Sequence, residues 1–189
     1  MPILIDHLER RLGVMEGGRR IAGLPEGGSL SIARFANGQL QGVVSYASIG
    51  LSNVPLQSRS APRGLHMELI ACEYQRDDTD DSLPSALTAL AARLLREETA
   101  ILRGEVVRLP GPLRPDSAMV GLYAALPVYF DPPFKSVVVE NDCHVAVVWL
   151  VPVGAMEIRY IEKFGYPAFE GELVARAPDL LDLRRGEIV

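Results

Sequence analysis

The sequence predicts an α+β fold: a mixed β-sheet flanked by helices, in a single domain spanning residues 1–189. Three observations carry that prediction. Apolar runs of strand length recur through the chain, separated by turn-forming pairs such as Asn37-Gly38, Pro110-Gly111 and Asn141-Asp142. One long stretch beginning at Ser82 has helical periodicity, and shorter helical patterns sit at the two ends. Strands, one long helix, more strands and terminal helices fit helices packed on a mixed sheet. Apolar residues make up 48% and charged residues 23%, so the chain can close a core without staples.

In chain order, Ile3, Ile5, Leu8 and Leu12 give a short amphipathic helix that Gly13 can stop. Glu16 to Gly28 is rich in glycine and carries Pro25, which reads as a loop. Ser29 to Phe35 and Leu40 to Ile49 flank Asn37-Gly38, the strongest short-range hairpin signal. A loop with Pro55 and Pro62 precedes a strand from Leu65 to Glu73. Ser82 is placed to cap the long helix and Pro84 suits its first turn. Leu83, Leu87, Leu90, Leu94 and Ile101 then mark one face, with Gly104 as the stop. Short extended pieces follow at Glu105–Leu109, Met119–Leu126 and Val128–Phe130. A second hairpin, Ser136–Glu140 with Cys143–Val151, turns at Asn141-Asp142. Its second arm is apolar on both faces from Val145 to Leu150, the mark of a central strand. Helices from Ala155 to Phe164 and from Pro167 to Ala175 close the pattern.

Composition excludes several functions. A net charge of -5 gives no electrostatic footprint for nucleic acid. No apolar run is long enough to cross a bilayer, and the first residues lack a signal-peptide core, so a cytoplasmic location is expected. The two cysteines, Cys72 and Cys143, are too few for a secreted disulfide scaffold and read as reduced thiols that meet only if their strands pair.

Candidate chemistry is sparse. His66-Met67-Glu68 is half of a zinc-deaminase signature, but no P-C-x-x-C completes it, and an alternating strand with His66 and Glu68 on one face explains it equally well. His7, His66 and His144 have no helical metal spacing. Ser45, Ser48 and Ser52 lack a G-x-S-x-G elbow, and Gly17-Gly18 and Gly27-Gly28 lack the following Lys-Ser/Thr of a phosphate loop. A Cys-His pair built from Cys72 or Cys143 with His66 or His144 would need adjacency in space that sequence does not reveal. No cofactor or metal is expected. The acidic run Asp77, Asp78, Asp80 and Asp81 has two readings: a solvated loop favouring the positive end of the next helix, or a contact patch for a basic protein partner.

The order of these pieces resembles the bacterial branch of the Suppressor of Fused domain family. The resemblance begins at Tyr46-Ala47-Ser48-Ile49-Gly50-Leu51-Ser52, which looks like that family's strand ending in a glycine-x-serine turn. It continues in Glu68-Leu69, where family members commonly carry an aromatic residue or arginine just before and this chain has His66 and Met67. Leu126-Pro127, the run Val147–Val153 and the final Asp179–Arg185, with its D-x-x-R pattern, complete it. It is strongest over residues 41–189. The resemblance implies a Suppressor of Fused-like sandwich that binds protein, without enzyme activity. Animal members restrain a transcription factor through an added extended peptide; bacterial members are linked to immunity against a toxin of the same polymorphic toxin locus. The chain has 17 arginines and 2 lysines, which fits a GC-rich bacterial source and favours the immunity role, with a toxin domain as partner. A peptide-binding adaptor is the alternative, and a small hydrolase or metal enzyme using His66 and Glu68 a further one.

Overall fold

The computed structural model describes residues 2–21, 29–58, 61–76 and 80–189. Its elements are α1 (Pro2–Leu12), β1 (Gly13–Arg20), β2 (Ser31–Asn37), β3 (Val43–Ile49), β4 (Leu56–Ser58), β5 (Ala61–Tyr74), α2 (Ser82–Glu97), β6 (Val106–Arg108), β7 (Met119–Ala125), β8 (Ser136–Val139), β9 (Cys143–Gly154), α3 (Ala155–Phe164) and α4 (Tyr166–Arg176). Among the described residues nine strands form the sheet, in the order β1-β2-β3-β5-β9-β7-β6, with β4 paired to β5 and β8 to β9.

Two long strands make the spine. β5 and β9 pair in parallel, His66 opposite Val145 through Ile70 opposite Trp149; the ladders β1–β2, β2–β3, β3–β5, β4–β5, β6–β7, β7–β9 and β8–β9 are antiparallel. The register shows how each spine strand is flanked. β3 runs beside the C-terminal half of β5 and β4 beside its first residues, so the turn between β3 and β4 interrupts one continuous edge. β7 and β8 share β9 in the same manner, with residues 126–135 as the interruption.

Alternation along these strands divides the core. Ile70 and Cys72 join one apolar cluster, with Val145, Val147, Trp149, Val151 and Val153, under α1, α3 and α4. Met67, Leu69 and Ala71 join a second cluster under α2, whose Leu83, Leu87, Leu90, Leu94 and Leu95 are buried. Each such leucine contributes about 1.5–3 kcal/mol on leaving water, so α2 is held by packing more than by propensity. The expectation that Val145–Leu150 is a central strand is met, because β9 has partners on both edges.

Several expectations are corrected. The loop expected from Glu16 is strand through Arg20, and its remaining stretch, 22–28, lies outside the described residues. β1 has no alternation to read because all but its first residue are exposed. Pro62 lies within β5, and β4 is a further unforeseen strand. Val128–Phe130 form a turn, bonded from the Phe130 amide to the Pro127 carbonyl. The long helix ends earlier than Gly104: Glu98 takes a left-handed φ of 50° and caps it, and the residue before its start is Asp81, with Ser82 already helical. Gly13 does stop α1, at a φ of 94° where a Cβ would strike the Ala36 carbonyl.

Candidate functional site

The side chains singled out by sequence fall into structural roles. Glu68 sits opposite the β3–β4 interruption and fills it. Its carboxylate accepts hydrogen bonds from the Ser48 hydroxyl at 2.5 Å, the Gly50 amide at 2.9 Å, the Ser52 amide at 3.0 Å and the Ser52 hydroxyl at 2.6 Å. Gly50, at a φ of 105°, starts a 3-10 turn over Leu51–Asn53, and a Cβ there would meet the Ser29 carbonyl, so the turn requires glycine. Burial pushes the Glu68 carboxyl up in pKa, while the Ser48, Ser52 and Gly50 bonds pull it down; burial wins. His66 joins the same turn, its Nδ1–H donating to the Ser52 carbonyl at 2.7 Å. The Gly-x-Ser and Glu-Leu segments are therefore one hydrogen-bonded unit.

The other candidates do not converge. Cys72 is buried, takes a hydrogen bond from Ser45, and its thiol is pushed up to about 12 by burial, so it holds no reactive thiolate. Cys143 lies on the neighbouring strand but eight positions out of register with Cys72, roughly 26 Å at 3.3 Å per residue, so the two cannot form a disulfide. His144 is exposed and one position off the His66–Val145 pair, on the other face of the sheet. His7 is buried in α1, donating from Nε2 to the Phe134 carbonyl at 3.1 Å. Among the described residues no group of three His, Cys, Asp or Glu could hold a metal.

Asp77 and Asp78 lie outside the described residues. Asp80 turns inward: its carboxylate accepts from the Ser82 amide at 2.7 Å and pairs with buried Arg114 at 2.8 Å. Burial raises its pKa, yet the Ser82 bonds and Arg114 together bring it below the usual value. Asp81 is exposed and pairs with Arg19 of β1 at 2.8 Å. Arg114 also donates to buried Glu73 at 2.5 Å, joining the end of β5 to the loop before β7.

Sequence reading passed over a second buried charge pair. Glu157, fully buried on α3, accepts from Arg185 at 2.7 and 3.0 Å, and from the Gly154 and Ile188 amides. Arg185 gives a further bond to the Pro152 carbonyl. The arginine of the terminal D-x-x-R pattern thus fastens the C-terminal segment across the end of β9.

One concavity has a different character. Between α4 and the end of β7 and β9, Tyr123, Trp149 and Val151 floor an apolar pocket of about 360 Å³. At one end Arg103 forms a bidentate pair with Glu170, which also accepts from the Tyr123 hydroxyl. Nothing in the pattern of the sequence marked this place, since its walls come from four separated segments.

These features define a sheet-and-helix scaffold whose buried carboxylates brace turns and termini. The chain belongs to the Suppressor of fused family: the family model for Suppressor of fused protein matches residues 27–186. Solved structures share the fold. A Suppressor of fused homologue from Neisseria gonorrhoeae is 15% identical with a TM-score of 0.77, covering 100% of this chain and 96% of that one. The Sufu–Fu complex is 16% identical with a TM-score of 0.67, covering 98% and 90%. Drosophila Suppressor of Fused is 14% identical with a TM-score of 0.67; 99% of this chain matches 50% of that protein. No curated protein matches in sequence.

Proposed function

We propose that this chain is a non-catalytic, cytoplasmic protein-binding domain, folded as one unit over residues 1–189, that neutralises a bacterial toxin domain. The family match over residues 27–186 carries this reading, together with the protein complex in which one structural relative, Sufu with Fu, was solved. Engagement of Glu68, His66 and Cys72 in turn and core bonding supports a role other than catalysis. The acidic stretch Asp77, Asp78, Asp80 and Asp81 is the proposed contact for a basic toxin surface. Of its described members, Asp81 is the one whose charge faces solvent, while Asp80 braces Arg114.

The test is co-expression with each toxin-like domain encoded beside the gene. Growth rescue with a one-to-one complex on gel filtration is expected for one of them, and Asp81→Lys should weaken that complex. Failure to rescue or bind any of them defeats the toxin reading. A peptide-binding adaptor is the second reading, favoured by the outer edge of β1, which pairs with no strand among the described residues. Micromolar binding of short extended peptides, without rescue, would support it.

A further inference from the structure

We propose that the pocket beside α4 is a small-molecule site for a neutral, largely apolar ligand of bicyclic size that presents one hydrogen-bond acceptor. Its volume, about 360 Å³, lies in the range of ligand pockets, and its walls are mostly aliphatic and aromatic.

Three independent features point to a ligand. First, the rim is apolar and wet: Val128 is 69% and Val174 83% exposed, the two most exposed large apolar side chains among the described residues. Such a rim gives folding nothing and favours a covering group. Second, the indole N–H of Trp149 is buried and has no acceptor. A buried donor left unpaired is costly, and an acceptor brought by a ligand removes that cost. The half-exposed Tyr129 ring is packed 4.9 Å from the indole, with its hydroxyl held by two long bonds of 3.3 Å to the Pro178 carbonyl and the Leu180 amide. Tyr129 is the group that turns aside to admit the acceptor. Third, charge complementarity fixes the ligand's charge. The ionic groups in the wall, Arg103 and Glu170, are bidentate partners and cancel, so a neutral molecule matches where a carboxylate or ammonium would stay unpaired.

Trp149 is the sole tryptophan, so one ¹⁵N-indole cross-peak reports on the site in the full chain. The probes are 2-acetylnaphthalene and 2-ethylnaphthalene, near-isosteres that differ in the carbonyl. The acetyl compound should shift the indole cross-peak saturably and bind roughly tenfold tighter than the ethyl compound, the order expected for satisfying a buried donor. Val174→Asp or Val128→Asp, each an exposed rim change that leaves the core intact, should weaken binding several-fold. An indole signal unmoved by the acetyl compound, or equal affinities for the two probes, overturns the proposal. Neither result bears on the protein-binding reading, which is decided by rescue and complex formation.

Discussion

Replacing Glu68 with alanine separates a structural carboxylate from a catalytic one. The substitution strands the Gly50 and Ser52 amides, both now satisfied by the same Oε1 atom. A buried amide without a partner costs about 1–3 kcal/mol, and the two serine hydroxyls can rotate towards other acceptors, so the loss should be about 4 kcal/mol. For a domain of this size that lowers the melting temperature by roughly 8–16 °C. Glu68→Gln keeps a carbonyl acceptor and should cost less than half as much. The pH dependence adds a signature. Burial raises the folded pKa of Glu68 above its usual value of 4.5, so the folded state holds the proton more tightly than the unfolded one. That contribution is fully present below about 4.5 and is lost as pH rises through the folded pKa. The stability of the wild type relative to Glu68→Gln should therefore improve as pH falls from 7 towards 4.5. Thermal melts of the three proteins across that range check both claims. An alanine variant as stable as the wild type, or more stable, would refute the bracing role and revive the view of Glu68 as a strained active-site acid.

Other perturbations test the remaining bonds. Glu157→Ala leaves buried Arg185 without its carboxylate and should cost about 3–5 kcal/mol; limited proteolysis should then cut within residues 177–189, where the wild type resists. Arg185→Lys in the otherwise unchanged chain should also destabilise, since a lysine ammonium cannot reproduce the planar two-bond fork that Arg185 presents to Glu157. With a disulfide reagent under native conditions, Cys143 should react and Cys72 should react only on unfolding, giving one fast thiol of two; two fast thiols would contradict the buried, high-pKa Cys72. His7 is held neutral, its pKa lowered chiefly by burial. Its contribution to stability is complete above the usual value of 6.5 and is lost as pH falls through the folded value, so His7→Phe should flatten the stability profile below about pH 6.5.

How much of this was legible in the sequence follows from where the signal is local. α1 was readable because Leu8 and Leu12 repeat at helical spacing before Gly13, although Ile3 is exposed and the buried face is Leu4, Leu8 and Leu12. α3 was readable because Met156, Tyr160, Ile161 and Phe164 precede Gly165. β9 was readable because it is apolar on both faces. β1 was hidden because an edge strand open to water on both faces needs no hydrophobic alternation. The role of Glu68 was hidden for another reason: its donors are backbone amides and two serines about twenty residues away, and amides leave no residue code. The Glu157–Arg185 pair and the pocket around Trp149 likewise depend on tertiary contacts between segments far apart in the chain.

The parallel seam between β5 and β9 has a kinetic consequence. His66 and Val145 are about eighty residues apart in sequence, while the strands on either side of the seam pair mostly with near neighbours. Closing so long a loop before its contacts can repay the entropy makes that seam late to form. Two meanders, residues 13–74 and 106–154, can assemble early, each with one spine strand lacking its parallel partner. During synthesis the first emerges complete while the open flank of β5 waits for a strand not yet made, and that waiting edge is where the nascent chain is most exposed to mispairing.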